Sequence, residues 1–338
     1  MFTRPAALQD ADIVAALREH WAFDAVAVGY LAVGFGSHHW VATAADGSRW
    51  FVTVDELASK TFLGAEPMVS FDALGKAFTV AQALHDGGLE WVVAPVSTQD
   101  GGVLSWLDER FSIAVFPHLN GFTREEYASD AERAGVLSLL AQLHQVSGPV
   151  LALARRETFE LPNRSDLDAA IASVEDRWSG GPYAEPARSL LRRHVVGVRR
   201  LLGNYDDLAR HALRQPTNWV LTHGEPHSAN VLRTHDGLRV IDWDTAMLAP
   251  PERDVWMLIP QQGHDLLEGQ YLDLTGHRVN RKWLSLYELW WDLSEIGGYL
   301  AQFRAPHSDT EDTQEAWRNL DYFIRADQRR NNGPNQHA

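Results

Sequence analysis

Apolar residues recur every three to four positions over some stretches of the 338-residue chain and every second position over others. The two rhythms separate helices from strands. Behind Asp10, residues Ile13, Ala16, Leu17 and Trp21 fall on one face and predict a short amphipathic helix. Strand patterns follow at 25–33 and 39–43, joined by Gly34-Phe35-Gly36-Ser37, and Asp46-Gly47 predicts a hairpin into 50–54. Helical spacing returns over 70–85, where Phe71, Leu74, Phe78, Ala81 and Leu84 share a face that stops at Gly87-Gly88. Strands are then predicted at 91–94, 103–106 and 111–116, with Asp100-Gly101-Gly102 turning between the first two.

Beyond Phe116 the pattern is mainly helical. Helices are predicted over 130–144, 166–178, 186–202, 282–303 and 316–327, with another beginning at Arg253 and running toward Pro260. A polar stretch from Arg329 to Ala338 carries no apolar periodicity and is expected to be disordered. One segment breaks the helical run: in 221–244, two short apolar stretches flank Asp236-Gly237, a strong hairpin signal. Antiparallel pairing across that turn returns Asp242 close to Asn230.

The hairpin joins two polar clusters, His223, Glu225, His227 and Asn230 on one side, Asp242 and Asp244 on the other. A carboxamide beside a carboxylate offers hard oxygen ligands of the kind Mg²⁺ takes together with substrate phosphates. Glu225, five residues before Asn230, would sit where it can accept a proton from a substrate hydroxyl. Such a division of labour, an acid on the nucleophile and an Asn plus a second acid on the metal, is that of kinase catalysis.

The run His223-Gly224-Glu225-Pro226-His227-Ser228-Ala229-Asn230 followed by Ile241-Asp242-Trp243-Asp244 resembles the catalytic loop and metal segment of the aminoglycoside phosphotransferase family, small-molecule relatives of protein kinases. The continuation Ala249-Pro250-Pro251-Glu252-Arg253-Asp254 most resembles the spectinomycin phosphotransferase branch. The resemblance implies an α+β, two-lobed protein-kinase-like fold: an antiparallel-sheet N-lobe with one helix over 1–116, a hinge at 117–121, a larger, mainly helical C-lobe over 122–330, and a disordered tail at 331–338. It further implies ATP and Mg²⁺ as cofactors and transfer of the γ-phosphate to the hydroxyl of a small, amine-bearing molecule. Glu225 would be the catalytic acid–base residue and His223 its brace. Asn230 and Asp242 would hold metal, and Asp244, where a kinase has glycine, would add a metal or acceptor contact.

The same resemblance assigns Gly34, Gly36 and Ser37 to a loop over the nucleotide phosphates, although Gly-x-Gly by itself also fits a plain hairpin turn. Phe116 and His118 fall in the hinge that would read the adenine edge. Two positions depart from the family. Glu225 replaces its usual aspartate, and 51–55 lacks the third-strand lysine, holding Thr53 near the expected place. Only Lys60, Lys76 and Lys282 are present in the whole chain. Lys76 on the N-lobe helix is a replacement candidate, as are an arginine or the pair His38 and His39, while Lys76 equally fits a solvated helix position. Asp254 fits either an acceptor for catalytic-loop amides or a helix N-cap. On the long helix, Glu288, Asp292 and Glu295 share a face beside Trp291, which suits a cationic acceptor and also fits a solvated outer face.

Composition narrows the partners. A net charge of −15 argues against a nucleic-acid partner and suits a cationic small molecule, and it also serves solubility. With no cysteine, disulfides and thiolate metal sites are excluded. No apolar run is long enough to span a bilayer and no signal-peptide order is present, so the expected location is the cytoplasm, without a membrane partner, as monomer or homodimer. Two other classes compete with the kinase. One is a pseudokinase-like nucleotide-binding protein, suggested by Thr53 and Glu225. The other is a metallohydrolase on His223, Glu225 and His227, which Pro226 opposes by breaking the helix that such a zinc site needs.

Overall fold

The computed structural model describes residues 1–215, 219–259 and 265–332. In chain order come α1 (Asp10–Trp21), β1 (Ala25–Leu31), β2 (His38–Ala44), β3 (Arg49–Glu56), α2 (Pro67–Asp86), β4 (Ser105–Trp106), β5 (Phe111–Pro117), β6 (Gly121–Phe122), α3 (Asp130–His144), β7 (Arg155–Arg156), α4 (Arg164–Ala172) and α5 (Ala184–Ala212). They continue with β8 (Val220–Thr222), β9 (Val231–Thr234), β10 (Gly237–Val240), β11 (Met247–Ala249), α6 (Glu252–Val255), α7 (Asp265–Thr275), α8 (Arg281–Arg304), α9 (Glu311–Phe323) and α10 (Ala326–Asn332). Two compact units emerge: Met1–Glu157 with the described part of Thr217–Val279, and the described parts of Thr158–Pro216 and Asn280–Ala338. The 117–121 segment expected to separate two lobes lies inside the first of these.

In the first unit, an antiparallel sheet has the order β1-β2-β3-β5-β4. Its two faces follow from strand alternation. Val52 and Val54 of β3 pack with Trp40, Ala42, Ile113 and Val115 beneath Ile13 and Leu17 of α1. Ala114 turns the other way, toward Leu74 and Phe78 of α2 and toward Leu63 and Val103. Thr53 and Asp55 alternate with Val52 and Val54, so they share the α2 side. Pro67 in its first turn starts α2, and Asp46 Oδ1, accepting from the Ser48 amide at 2.9 Å, shapes the β2–β3 turn.

The expected strand at 91–94 does not join this sheet. Val92 makes a single parallel bridge to Val240, with Val93 N donating to Val240 O at 3.0 Å and Val240 N to Trp91 O at 2.8 Å. This segment therefore supports the β9–β10 hairpin. Expected strand 103–106 shortens to β4, whose two residues pair with Ile113 and Ser112 of β5. From β5, residues 118–120 lead to β6, which pairs with β9 to give a sheet of order β10-β9-β6. A Cβ on Gly121 would lie 2.7 Å from Arg233 O, so that close pairing requires glycine. A third sheet, β7-β11-β8, carries the chain into the segment starting at Leu221.

The second unit is helical, with α8 packed by α4, α5 and α9. The helix expected over 166–178 ends at Ala172, and the next runs on to Ala212. The final expected helix divides into α9 and α10, and α10 carries helix as far as Asn332, into the stretch expected to be disordered. Residues 333–338 of that stretch, and Pro260 of the helix expected from Arg253, lie outside the described residues. Among the described residues no helix is long and apolar enough to cross a membrane.

Candidate active site

The polar stretch after β8 is held from below. Gly224 has φ +104°, and a Cβ there would meet Arg253 Nη1 at 2.3 Å, so only glycine fits both the backbone and the space. Buried Arg253 donates from Nη1 to Thr222 Oγ1 and from Nη2 to Thr245 O, both at 3.0 Å. Asp254, fully buried, accepts from the Gly224 amide at 2.6 Å, the His223 amide at 2.9 Å and His144 Nε2 at 3.0 Å. Burial alone pushes the Asp254 carboxyl up; hydrogen bonding and charge from His144, with His223 and Arg253, outweigh it and hold the pKa below the ordinary carboxylate value. The N-cap of α6 is Pro251, so Asp254 serves the loop as an acceptor and not the helix as a cap.

His223 is fully buried and locked at both ring nitrogens. Its Nδ1 accepts the Glu225 amide at 3.1 Å, which leaves the proton on Nε2 to donate to Ile241 O at 2.9 Å. Burial lowers its pKa, in keeping with that neutral tautomer. The ring meets Trp243 edge-on at 4.7 Å, and Trp243 in turn lies against Trp91. With both nitrogens committed to backbone, His223 has no lone pair for a metal, which removes the metallohydrolase arrangement. Glu225 is half-buried, and His223 fixes the amide that carries it.

The β9–β10 register pairs Val231 with Val240 around Gly237, whose φ of +111° is what the Asp236-Gly237 turn demands. One step beyond the pairing, Ile241 N donates to Asn230 O at 3.0 Å. The Asn230 and Asp242 backbones are thereby neighbours. Asn230 Nδ2 points to Glu225 O at 3.0 Å and His227 Nε2 at 3.2 Å, which turns its carboxamide oxygen away from the loop. Arg233 secures the loop from behind, reaching Ser228 O at 2.8 Å and Glu132 at 2.6 Å.

Asp242 has φ +66°, an uncommon backbone state for a non-glycine residue. The residue is exposed to solvent, although protein atoms crowd its carboxyl group. Lost hydration and the neighbouring Asp244 raise its pKa, with Asp55 adding and Lys60 opposing. Among the described residues no three His, Cys, Asp or Glu side chains form a metal-holding group. Asp242, Asp244 and Asn230 carry hard oxygen donors, the kind that Mg²⁺ takes together with phosphate oxygens and water.

On the sheet side, Gly34 (φ +70°) and Gly36 (φ +87°) bend the β1–β2 loop so that Ser37 Oγ donates to Asp55 Oδ1 at 2.6 Å. Lys60, just past a short 3-10 turn at Leu57–Ser59, is buried, with its Nζ 2.9 Å from Asp55 Oδ1, 3.0 Å from Asp244 Oδ2 and 3.0 Å from Ser37 Oγ. Burial alone would lower its pKa, but Asp55, Asp244 and Asp242 overcome this, so the ammonium stays protonated. Lys76, by contrast, is exposed on α2, the solvated position its pattern allows, and is not the inward-reaching lysine. His39 is neutral, its pKa brought down to about 3, chiefly by burial, so it does not supply cationic contact. His38 is buried, with its Nδ1 3.3 Å from the Tyr30 hydroxyl. Sequence reasoning passed over Lys60. The signal was present in a strand carboxylate, Asp55, at the end of the run Phe51-Val52-Thr53-Val54 and five residues from one of only three lysines.

Phe116 pairs with Phe51 in the β3–β5 ladder and meets Phe78 edge-on, while half-buried His118 has its pKa lowered by burial and by Arg49. In the second unit, Asp292 is buried and bonded to Arg330 Nη1, Glu288 lies 3.5 Å from the same arginine, and Glu295 is hydrogen-bonded to Tyr299. Trp291 is half-buried beside them. The acidic face of α8 is therefore largely covered, not a solvated outer face.

The chain matches the phosphotransferase enzyme family over residues 31–289. It is 31% identical over 259 residues to protein StrN of Streptomyces griseus, covering 73% of this chain and 76% of that protein. In fold it resembles the spectinomycin phosphotransferase APH(9)-Ia solved with ADP and spectinomycin, at TM-score 0.70 and 18% identity over 95% of this chain and 99% of that one. It also resembles the choline kinase LicA of Streptococcus pneumoniae, at TM-score 0.59 and 12% identity over 94% and 99%.

Proposed function

Given that this chain belongs to the phosphotransferase enzyme family, as an α+β kinase-like enzyme acting on small molecules, we propose that it moves the γ-phosphate of ATP, with Mg²⁺, to a hydroxyl of a small amine-bearing acceptor. The observation that carries this reading is the braced loop: His223 fixes the Glu225 amide, and Ile241 bonds Asn230 so that Asn230 and Asp242 leave the hairpin side by side. Glu225 accepts the proton of the acceptor hydroxyl as that oxygen attacks. Asn230, Asp242 and Asp244 would hold Mg²⁺, which supplies charge neutralisation for the phosphates. Gly34, Gly36 and Ser37 close over the phosphates with their backbone amides, and the backbone around Phe116 and His118 receives the base. In this reading residues 1–116 form the nucleotide lobe, 117–121 the hinge and 122–330 the acceptor-binding lobe. Most of the rate then comes from positioning and electrostatics, as in other phosphoryl transfers.

Transfer from labelled ATP across a panel of aminocyclitols, amino sugars and amino alcohols tests the proposal. At least one acceptor should be phosphorylated, and Glu225→Gln and Asp242→Ala should each lower kcat by about 10²-fold or more. Full transfer by both variants would refute the assignments.

A further inference from the structure

A polyphosphate needs a cation on its oxygens, and the two elements expected to arrange one lack the residues for it. Strand β3 carries Thr53, and α2 contains no glutamate to orient a strand lysine. We propose that Lys60, held by Asp55, is the residue that binds the nucleotide's phosphate chain in this protein, with acid and base exchanged along the sequence: the carboxylate on the strand, the ammonium just after it. This rests on the kinase reading above.

Three observations carry it. First, the Lys60 ammonium stands where three segments meet: the glycine loop at Ser37, the sheet at Asp55 and the segment after β10 at Asp244. These are the parts that a bound triphosphate would have to touch. Second, the balance of charge there is negative, with Asp55, Asp242 and Asp244 all acting electrostatically on Lys60. When Asp244 turns to a cation, Lys60 keeps Asp55 as its positioning partner and frees a donor for phosphate oxygen. Third, the other candidates are placed otherwise: Lys76 is exposed, His39 is neutral, His38 is buried against the Tyr30 hydroxyl and Arg253 is committed to Thr222 and Thr245. A buried lysine linking strand and loop would also serve as a plain staple. The two roles differ in which part of the nucleotide they affect.

Calorimetric titration of the full chain with ADP and with adenosine, both in Mg²⁺, separates them, using Lys60→Met, Lys60→Arg and the double variant Asp55→Asn/Lys60→Met. Loss of a charge-assisted contact should weaken ADP binding to Lys60→Met and to the double variant by about 10- to 100-fold, leave adenosine within about twofold, and be largely reversed in Lys60→Arg. ADP affinity equal to the unmodified protein's in a folded variant, or an equal loss for ADP and adenosine, would overturn the proposal. So would failure of both Met variants to fold, which would give the ammonium to the fold alone. Absence of ADP binding in the unmodified protein would instead refute the kinase reading, and this inference with it.

Discussion

Replacing Asp254 by asparagine isolates the brace beneath the loop that carries Glu225. The carboxylate spreads two oxygens over two backbone amides, Gly224 N at 2.6 Å and His223 N at 2.9 Å, and takes His144 Nε2 at 3.0 Å. Asparagine keeps the shape but offers one oxygen and one NH₂, so an amide donor loses its acceptor in a fully buried place. An unsatisfied buried donor and the loss of charge assistance together cost about 3–5 kcal/mol. For a unit of this size that lowers Tm by on the order of 10 °C. The loop carrying Glu225 shifts with it, and a displacement of ~1 Å costs ~10²-fold in kcat. Thermal melts and single-turnover transfer check both. As N-caps, Asn and Asp are nearly equivalent, so a capping role predicts almost no change; Tm and kcat both unaltered would refute the brace. The acid limb gives a second readout. Because the folded pKa lies below the ordinary 3.8, this stabilisation is present above pH 3.8 and is lost as pH falls through the folded value. The Asn variant lacks that portion of the acid unfolding.

Gly224→Ala should be destabilised by about 3 kcal/mol in urea melts, from a left-handed backbone and a clash with Arg253, and unaltered stability would show that the arginine yields freely. His39 has a folded pKa of about 3 against 6.5 unfolded, so the unfolded chain binds the extra proton between those values and stability rises with pH across that window. His39→Gln should flatten this slope in denaturant melts at about pH 4.5 and about pH 7.5, and an identical slope in both proteins would contradict the assignment.

Much of the site was readable because it is local. Asp236-Gly237 forces a hairpin by turn chemistry alone, and His223 to Asp244 are near enough in sequence that the hairpin sets their neighbours. The β1-β2-β3 strands and α2 declare themselves by period, and the α8 span was readable to within a residue at each end. Segment 91–94 has a strand's apolar run, but its partner is β10, and no local pattern chooses between that hairpin and the nearer sheet.

Charged side chains mark the limit. The sequence by itself determined which carboxylates and lysines exist and the local turns that carry them. Only the tertiary structure decided that Lys60 is sealed against Asp244, 184 residues away, while Lys76 stays in water, and that Arg330 covers Asp292. Hydration and Coulomb energy depend on which distant segments close over a charge, and that closure is a property of the packed chain rather than of any stretch within it.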